Sequence, residues 1–301
     1  MHYKKTFEIK VSEVDTFVGM QISRNRENES IFLHQEAYAS RILQRFNVLD
    51  VPCDLPADPN TVLCAPKENV NLKVPYREVI GSLMFLCVVS RSDLTYIVNF
   101  LSRYVNNFDK SHWRAAQRVL KYLKQTSSLG LSYKASESNN FCMKAYSDAD
   151  FAGDRDQRRS TSGCVVQLSS GPVIWCSKRQ SVTALSTAEA EYIAASVTAR
   201  QVSWLRHFLK DLGFPCKNPS NLYIDNTAAI SWAKDPVLNN KNKHIETKYH
   251  YVRGKVERKQ ISVLYVHTHL QIADLLTKNF NKERFMYIRK LIGMQACNQC
   301  T

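Results

Sequence analysis

Four acidic residues occupy positions from which their carboxylates could meet. Asp148 follows the strand-like run 141–147, and Asp225 ends a later run of the same kind. Glu191 stands just past the first turn of a predicted helix, and Asp274 lies on another predicted helix. Carboxylates that converge from separate elements suit Mg²⁺, which prefers hard oxygen ligands. Two such ions can activate water, neutralise charge and stabilise the leaving oxygen in phosphodiester hydrolysis.

Neighbouring acids leave alternatives to this set. Asp150 is the main rival to Asp148, and Glu189 fits a capping box opened by Ser186 better than a metal site. The spacing from Asp148 faintly resembles a calcium loop, but its twelfth position is Arg159, where a bidentate Glu belongs. The sequence contains no GxxxxGK[ST] loop, no HExxH and no GxSxG. The four acids therefore have no competing catalytic motif.

The elements that would position these acids follow from hydrophobic periodicity and capping signals. Strands are expected at 141–147, 163–168, 173–176, 221–225 and 261–266. Helices are expected from Ser186 to Gly213, from Asn226 to Trp232, and at 270–278 and 282–292. This order predicts a mixed α/β fold with helices on both faces of one sheet.

The part before residue 141 is organised differently. Alternating residues predict strands at 7–11, 17–22 and 30–33, and the helical spacing of Tyr38, Ile42, Leu43 and Phe46 predicts a helix after them. Five prolines between 50 and 75 indicate a connector. Three amphipathic helices are then expected, at 76–89, after an N-cap pair Ser92-Asp93, and after Ser111.

Composition bounds the partners and the compartment. With 301 residues, two domains are expected, and a net charge of +14 favours a polyanionic partner over a merely solvated basic surface. Nine scattered cysteines indicate reduced thiols, and the lone pair Cys297 and Cys300 is a poor zinc site. The start carries no signal-peptide core, and the apolar run 79–90 is too short to span a bilayer. We expect an intracellular protein, cytoplasmic or nuclear, without membrane contact.

Basic residues interleaved with aromatic residues between 241 and 259 could follow a phosphate backbone. The alternative is an ordinary solvated helix face. Two further cations lie in predicted turns near the acids. The candidate nucleic-acid contacts are Lys243, His244, Lys248, His250, Arg253, Lys178 and Arg179.

Several blocks of sequence carry a family resemblance. AYSDADFAGD at 145–154, ALSTAEAEYI at 184–193 and QIADLLTK at 271–278 are the longest, with shorter ones at 160–163, 175–180, 224–226, 243–246 and 248–250. In this order they resemble the ribonuclease H domain of copia-type LTR retrotransposon Pol polyproteins. The blocks at 17–22, 76–84, 92–94 and 118–123 resemble the same polyprotein's reverse transcriptase after its catalytic hairpin.

The resemblance implies a division of the chain. It suggests a reverse transcriptase palm remnant at 1–50, a proline-rich connector at 51–75 and a helical thumb or connection region at 76–135. A ribonuclease H-like domain with a mixed five-stranded sheet would follow at 141–280, and a C-terminal helix and tail at 281–301.

The resemblance also implies an activity, which is cleavage of the RNA strand of an RNA·DNA hybrid with Mg²⁺, or with Mn²⁺ in its place. The family's four metal-binding acids fall on Asp148, Glu191, Asp225 and Asp274. Other Pol or Gag products of such an element are further expected partners. Cellular ribonucleases H carry a mobile His before the last acid, and nothing in the spacing distinguishes His267 from His269.

One departure from the family limits the expected activity. The polymerase's Tyr-x-Asp-Asp hairpin is absent, and no Asp-Asp pair occurs in the sequence, so reverse transcriptase activity is not expected. A non-catalytic nucleic-acid-binding relic of a truncated element is the alternative to a nuclease.

Overall fold

Two five-stranded sheets form the framework of the protein in the computed structural model, which describes residues 14–68, 72–135, 143–235 and 247–296. The strands are β1 Thr16–Phe17, β2 Met20–Asn25, β3 Ser30–His34, β4 Leu129–Lys134, β5 Met143–Asp150, β6 Thr161–Leu168, β7 Gly171–Arg179, β8 Ser220–Ile224, β9 Ile261–Tyr265 and β10 Met294–Ala296. The first sheet has the order β1-β2-β3-β4-β10, and the second has the order β7-β6-β5-β8-β9.

Helices connect and cover these sheets. They are α1 Glu36–Arg45, α2 Tyr76–Val89, α3 Thr95–Ser102, α4 Lys110–Gln125, α5 Thr187–Asp211, α6 Thr227–Lys234, α7 Tyr251–Glu257 and α8 Lys282–Ile292. Short 3-10 turns lie at Ser92–Leu94, Thr247–His250, Thr268–Leu270 and Ile272–Leu276. None of the described helices combines the length and apolarity needed to cross a membrane.

The second sheet confirms the predicted mixed α/β fold class. Strands β5, β6 and β7 form an antiparallel meander, whereas β8 runs parallel to both β5 and β9. Parallel neighbours need a crossover connection, and α5 supplies it between β7 and β8. The ends of β5 and β8 therefore meet at one edge of the sheet.

Both faces of the second sheet are buried. One face packs against α5, α6 and α7 in a core that includes Ala145, Val166 and Leu222. The other face contributes Val165 to a second core, which also holds residues of α2, α3, α4 and α8. Burial on both faces explains why β6 is an almost unbroken buried strand rather than an alternating one.

The predicted strand at 17–22 is wrong, because this segment is a hairpin. Phe17 pairs with Met20, and the two residues between them form the turn. Val18 has φ 49° and Gly19 has φ 76°, both in the left-handed region. Two-residue turns of that conformation match the twist of antiparallel strands, which is why the chain reverses here. The predicted strand at 7–11 lies outside the described residues.

Two strands were not expected from the sequence. The helical region predicted at 76–135 ends in β4, and the C-terminal segment after α8 adds the three-residue β10. Met294 pairs with Leu131, so the end of the described chain completes the sheet begun at β1. The three residues of β10 are too few for a periodic pattern to show.

The predicted cap Asp93 does not cap a helix. Arg91 donates from Nε and Nη2 to its two carboxylate oxygens, each at 2.9 Å, and Tyr122 donates to it at 2.7 Å. Asp93 and Arg91 are both 2% exposed. A buried charge requires such partners, and this requirement overrides the local preference of Asp for an N-cap.

Candidate metal centre

Three of the four predicted acids come together at the edge of the second sheet. Asp148 lies in β5, Asp225 follows β8 directly, and Glu191 lies on α5, which packs across both strands. Each offers a carboxylate oxygen, and these oxygens lie within 4.8 Å of one another. The arrangement follows from the parallel pairing of β5 and β8, because their carboxyl ends point the same way.

The start of α5 determines the position of Glu191. Ser186 caps the helix by accepting a hydrogen bond from the Glu189 N–H at 3.2 Å, which is one of the two bonds of the predicted capping box. The Glu189 carboxylate accepts from the Leu185 N–H at 2.9 Å, which keeps it outside the acid cluster. Because its first turn is held in this way, α5 directs the Glu191 side chain toward the edge of the sheet.

Gly163 allows a second element to approach the acids. It lies directly opposite Asp148 on β6, and a Cβ there would be 2.6 Å from the Ala273 carbonyl oxygen. Only glycine lets the Ile272–Leu276 turn lie so close to the sheet. Thr277 then reaches Asp148 and donates a hydrogen bond to its carboxylate.

Burial and mutual repulsion change the acidity of the cluster. Glu191 is 6% exposed, and burial, then the charges of Asp148 and Asp225, raise its pKa to about 10. Asp148 is 3% exposed, and burial, then Asp274, raise its pKa to about 7, although Lys278 acts in the opposite direction. Like charges at this separation cannot all ionise unless a cation joins them.

Asp274, the fourth predicted acid, lies beside the cluster but not within it. Its carboxylate is paired with two cations: Lys278 Nζ stands 2.9 Å from Oδ1, and Arg284 Nη2 stands 3.3 Å from Oδ2. Asp274 is only 1% exposed, and its charge still raises the pKa of Asp148. It therefore borders the site, with its charge compensated by protein side chains.

Four residues at the site were not expected from the sequence: Thr268, Thr277, Lys278 and Arg284. Thr268 donates to Asp225 Oδ2 at 2.8 Å, and Arg284 donates to the Thr268 carbonyl oxygen at 2.7 Å. Lys278 stands four residues after Asp274, a spacing that could have identified it as a partner on a helix. Arg284 lies on α8 and has no local signal that could have identified it.

The two candidate histidines flank the residue that holds Asp225. His267 and His269 are both exposed, and the His269 N–H donates to His267 Nδ1 at 3.1 Å. The short turn they form presents Thr268 to the acid.

The acid cluster meets the requirements of a divalent-metal site. Within the described part of the chain, the buried Glu191 Oε2 has no hydrogen-bond partner. All three candidate ligands are hard carboxylate oxygens, the type that Mg²⁺ prefers. A buried, unpaired oxygen among like charges costs free energy unless a cation compensates it. The residues present therefore fit Mg²⁺ or Mn²⁺.

Among the predicted nucleic-acid contacts that the structure describes, Arg179 and Arg253 are engaged by other groups of the protein. Lys178 is exposed, but it and Arg179 lie at the end of β7 rather than in a turn. Arg179 donates to the Asp154 carboxylate at 2.9 Å. Arg253 is 6% exposed and donates to the Trp232 carbonyl oxygen at 3.2 Å, so its position is a buried structural one.

The other predicted contacts are in or near residues that the structure leaves undescribed. His250 Nδ1 lies 3.0 Å from the Tyr192 hydroxyl, next to α5. Lys248 belongs to the Thr247–His250 turn, but its side chain is not described. Lys243 and His244, like the cysteine pair at 297 and 300, lie outside the described residues. The six cysteines within the described residues are free thiols in the structure.

Comparison with known proteins establishes the family. No family model matches the chain. It is 36% identical over 305 residues to a retrovirus-related Pol polyprotein from transposon TNT 1-94 of Nicotiana tabacum, which covers 97% of this chain. The chain belongs to the retrovirus-related Pol polyproteins of copia-type transposons. The resemblance inferred from the sequence motifs is thereby confirmed.

A second relative in this Pol family is the polyprotein from transposon RE2 of Arabidopsis thaliana, 35% identical over 295 residues and 96% of this chain. The chain spans about a fifth of the length of these relatives, 22% and 20% respectively. Among solved structures, the N-terminal RNase H domain of a Mycobacterium tuberculosis protein matches 50% of this chain and 98% of that one, with 11% identity and a TM-score of 0.34.

Proposed function

We propose that this Pol chain is a ribonuclease H-type endonuclease that hydrolyses the RNA strand of RNA·DNA hybrids. The observation that carries the proposal is the meeting of Asp148, Glu191 and Asp225 within 4.8 Å at one edge of a mixed sheet. Hydrolysis of a phosphodiester requires compensation of negative charge, and buried carboxylates that hold divalent ions meet this requirement.

In this proposal Asp148, Glu191 and Asp225 hold Mg²⁺, or Mn²⁺ in its place, with Asp274 as the fourth acid at the border. An ion held there would supply an activated water and would neutralise charge on the reacting phosphate. The protein's own groups orient the ligands: Thr277 holds Asp148 and Thr268 holds Asp225. Glu191 releases its proton when the cation binds, because only the carboxylate is a ligand.

The proposed substrate follows from the family and from the chain's charge. An A-form hybrid displays 2′-hydroxyls in a wide, shallow minor groove, which distinguishes its RNA strand from DNA. A net charge of +14 favours association with such a polyanion. Other Pol or Gag products of the element are proposed partners, and reverse transcriptase activity is not proposed.

Cleavage of an end-labelled RNA·DNA hybrid tests this function. Wild-type protein should cut the RNA strand with Mg²⁺ and not in EDTA. Asp148→Asn and Asp225→Asn should reduce cleavage to the EDTA level, because each removes a charged ligand while leaving the side-chain shape. Hybrid binding should persist in both variants and weaken with salt.

The matched control is Asp211→Asn, which removes an exposed carboxylate at the end of α5, outside the acid cluster. It should cut like the wild type. Equal cleavage by wild type, Asp148→Asn and Asp225→Asn would overturn the proposed function, as would cleavage that continues undiminished in EDTA.

One observation favours a second candidate, a non-catalytic nucleic-acid-binding relic. Lys278 and Arg284 already compensate the charge of Asp274, so this acid has protein partners in the place of a metal ion. The relic predicts salt-dependent hybrid binding without any cleavage by the wild type in Mg²⁺ or Mn²⁺. The same assay therefore distinguishes the two functions.

A further inference from the structure

A cavity of about 610 Å³ lies between the proline-rich segment at 51–63, helices α3 and α4, and the loop after β5. Its volume falls in the range of about 300 to 1,000 Å³ that is typical of ligand sites. We propose that this cavity binds a single-stranded segment of nucleic acid, with phosphates on Arg114, Lys121 and Arg155 and bases against the apolar wall.

Positive charge dominates the lining of the cavity. Four cationic side chains line it, against the single carboxylate of Asp58. Three of the cations, at positions 114, 118 and 121, follow helical spacing and so lie along one face of α4. Arg155 comes from the loop after β5 and faces them across the cavity.

Most of these cations have no acidic partner. Within the described ranges, no ion pair or hydrogen bond engages the side chains of Arg114, Lys121 or Arg155. Arg118 is anchored by its Nε, which donates to the Leu55 carbonyl oxygen at 3.2 Å. Uncompensated cations around a concave site attract polyanions, and phosphates are the anions that nucleic acid offers.

The remaining wall is apolar and partly aromatic. Pro52, Pro56, Val62, Ile97 and Phe100 line it. An unpaired base offers both of its faces to such a wall, whereas the bases of a duplex are already stacked on one another. A site that combines cations with an apolar and aromatic surface therefore fits a single strand better than a double helix.

The lining of the cavity includes two residues that adjoin, in sequence or in contact, acids at the border of the site. Asn279 lines it and follows Lys278, whose Nζ stands 2.9 Å from Asp274. Gly153 also lines it and lies against the carboxylate of Asp150, two residues beyond Asp148. The proposal concerns binding alone and does not depend on cleavage.

Fluorescence anisotropy in EDTA tests the proposal, with fluorescein-labelled oligothymidylate of eight nucleotides and an abasic oligomer with the same number of phosphates. Wild-type protein should bind the thymidylate at least about fivefold more tightly, since each stacked base contributes that much or more. The double variant Arg114→Ala, Lys121→Ala should weaken thymidylate binding about tenfold and reduce its dependence on salt.

The matched control is Arg200→Ala, Lys217→Ala, which removes the same charge from exposed positions outside the cavity. It should weaken binding by less than about twofold. Gln117→Glu, an isosteric change at an exposed cavity position on α4, should weaken binding as well, even if the alanine variant folds poorly.

Three results would overturn the proposal. The first is equal affinity for the thymidylate and the abasic oligomer, which would exclude base contacts. The second is an equal loss of thymidylate affinity in the cavity variant and in its control. This result would show that binding depends on the overall charge and not on the cavity. The third is a loss of affinity for a blunt RNA·DNA duplex in the cavity variant that equals its loss of affinity for the thymidylate. This result would show that the surface binds duplexes as well as single strands.

Discussion

At the scale of single residues, a proton and the proposed metal ion would compete for the oxygens of the acid cluster. Glu191 and Asp148 are buried against each other, and the repulsion between their carboxylates is relieved by a proton or by a cation. Metal affinity at such a site rises with pH, because each ligand must lose its proton to bind. The same carboxylate oxygens would therefore hold protons when no metal is bound and would hold the metal ion when it is present.

This competition predicts a pH-dependent stability. In the folded protein the pKa values of Asp148 and Glu191 are raised to about 7 and about 10, from unfolded values of 3.8 and 4.5. The stability that these two groups contribute is therefore complete below their unfolded pKa values. It is lost as the pH rises through their folded pKa values. In EDTA the melting temperature of the wild type should fall between about pH 5 and pH 9.

Glu191→Gln removes one of the carboxylates and should therefore raise stability at pH 8 in EDTA, by roughly 2 kcal/mol. Added Mg²⁺ should stabilise the wild type more than this variant. Thermal unfolding followed by circular dichroism measures both effects. A wild-type melting temperature that does not change between pH 5 and pH 9 would contradict this account.

At the scale of elements, helix α4 shows how one cap stabilises a surface. Asp109 accepts hydrogen bonds from the N–H groups of Ser111 at 2.8 Å and His112 at 3.3 Å. Burial acts to raise the pKa of Asp109, but the hydrogen bonds from these two residues outweigh it and hold the value at about 2. The same helix carries three of the cations of the cavity.

Asp109→Ala should lower the free energy of unfolding by about 1 kcal/mol at pH 7, because two N–H groups of α4 lose their acceptor. The stabilisation is present above the unfolded pKa of 3.8 and is lost as pH falls through about 2. The difference between variant and wild type should therefore shrink between pH 4 and pH 2 in urea titrations. Asp109→Asn keeps an acceptor, so a loss as large as that of the alanine variant would argue against the cap.

At the scale of the whole molecule, hydrogen bonds join the second sheet to helices α2 and α8. Trp175 of β7 donates from Nε1 to the Cys87 carbonyl oxygen of α2 at 2.7 Å. Gln167 of β6 donates to the carbonyl oxygen of Ile292, at the end of α8, at 3.3 Å. Because one hydrophobic core also extends from α2 to the second sheet, the two sheets should unfold together.

The buried pair of Arg91 and Asp93 tests this coupling. Tyr122 of α4 donates to Asp93, and Arg289 of α8 donates to the Tyr122 hydroxyl at 2.8 Å. Asp93→Ala leaves the Arg91 charge buried without its partner and should cost about 3 to 5 kcal/mol.

Calorimetry of the Asp93→Ala variant should show one unfolding transition, shifted to lower temperature than that of the wild type. In the same variant the amides of β8 should lose protection from hydrogen exchange. The exposed Asp211→Asn should change stability by less than about 0.5 kcal/mol. Two separate transitions, with only the first sheet destabilised, would refute the coupling.

The sequence alone determined the features that depend on neighbouring residues. The cap at Ser186, the run that becomes β8 and the acid that follows it are local signals, since a strand or cap is encoded within a few residues. The motif blocks likewise identified the family and the candidate acids. These signals were sufficient to predict the mixed sheet and to nominate Asp148, Glu191 and Asp225.

Only the tertiary structure decided which distant groups meet. The pairing of β10 with β4, the burial of Arg253 and the pairing of Arg284 with Asp274 all join residues with no local relation. Periodicity reports which face of an element is buried, but not which element covers it or where a long charged side chain finds its partner. For that physical reason Asp274 could be nominated from the sequence, and Lys278 lies within one helical turn of it, but its partner Arg284 on α8 could not be found.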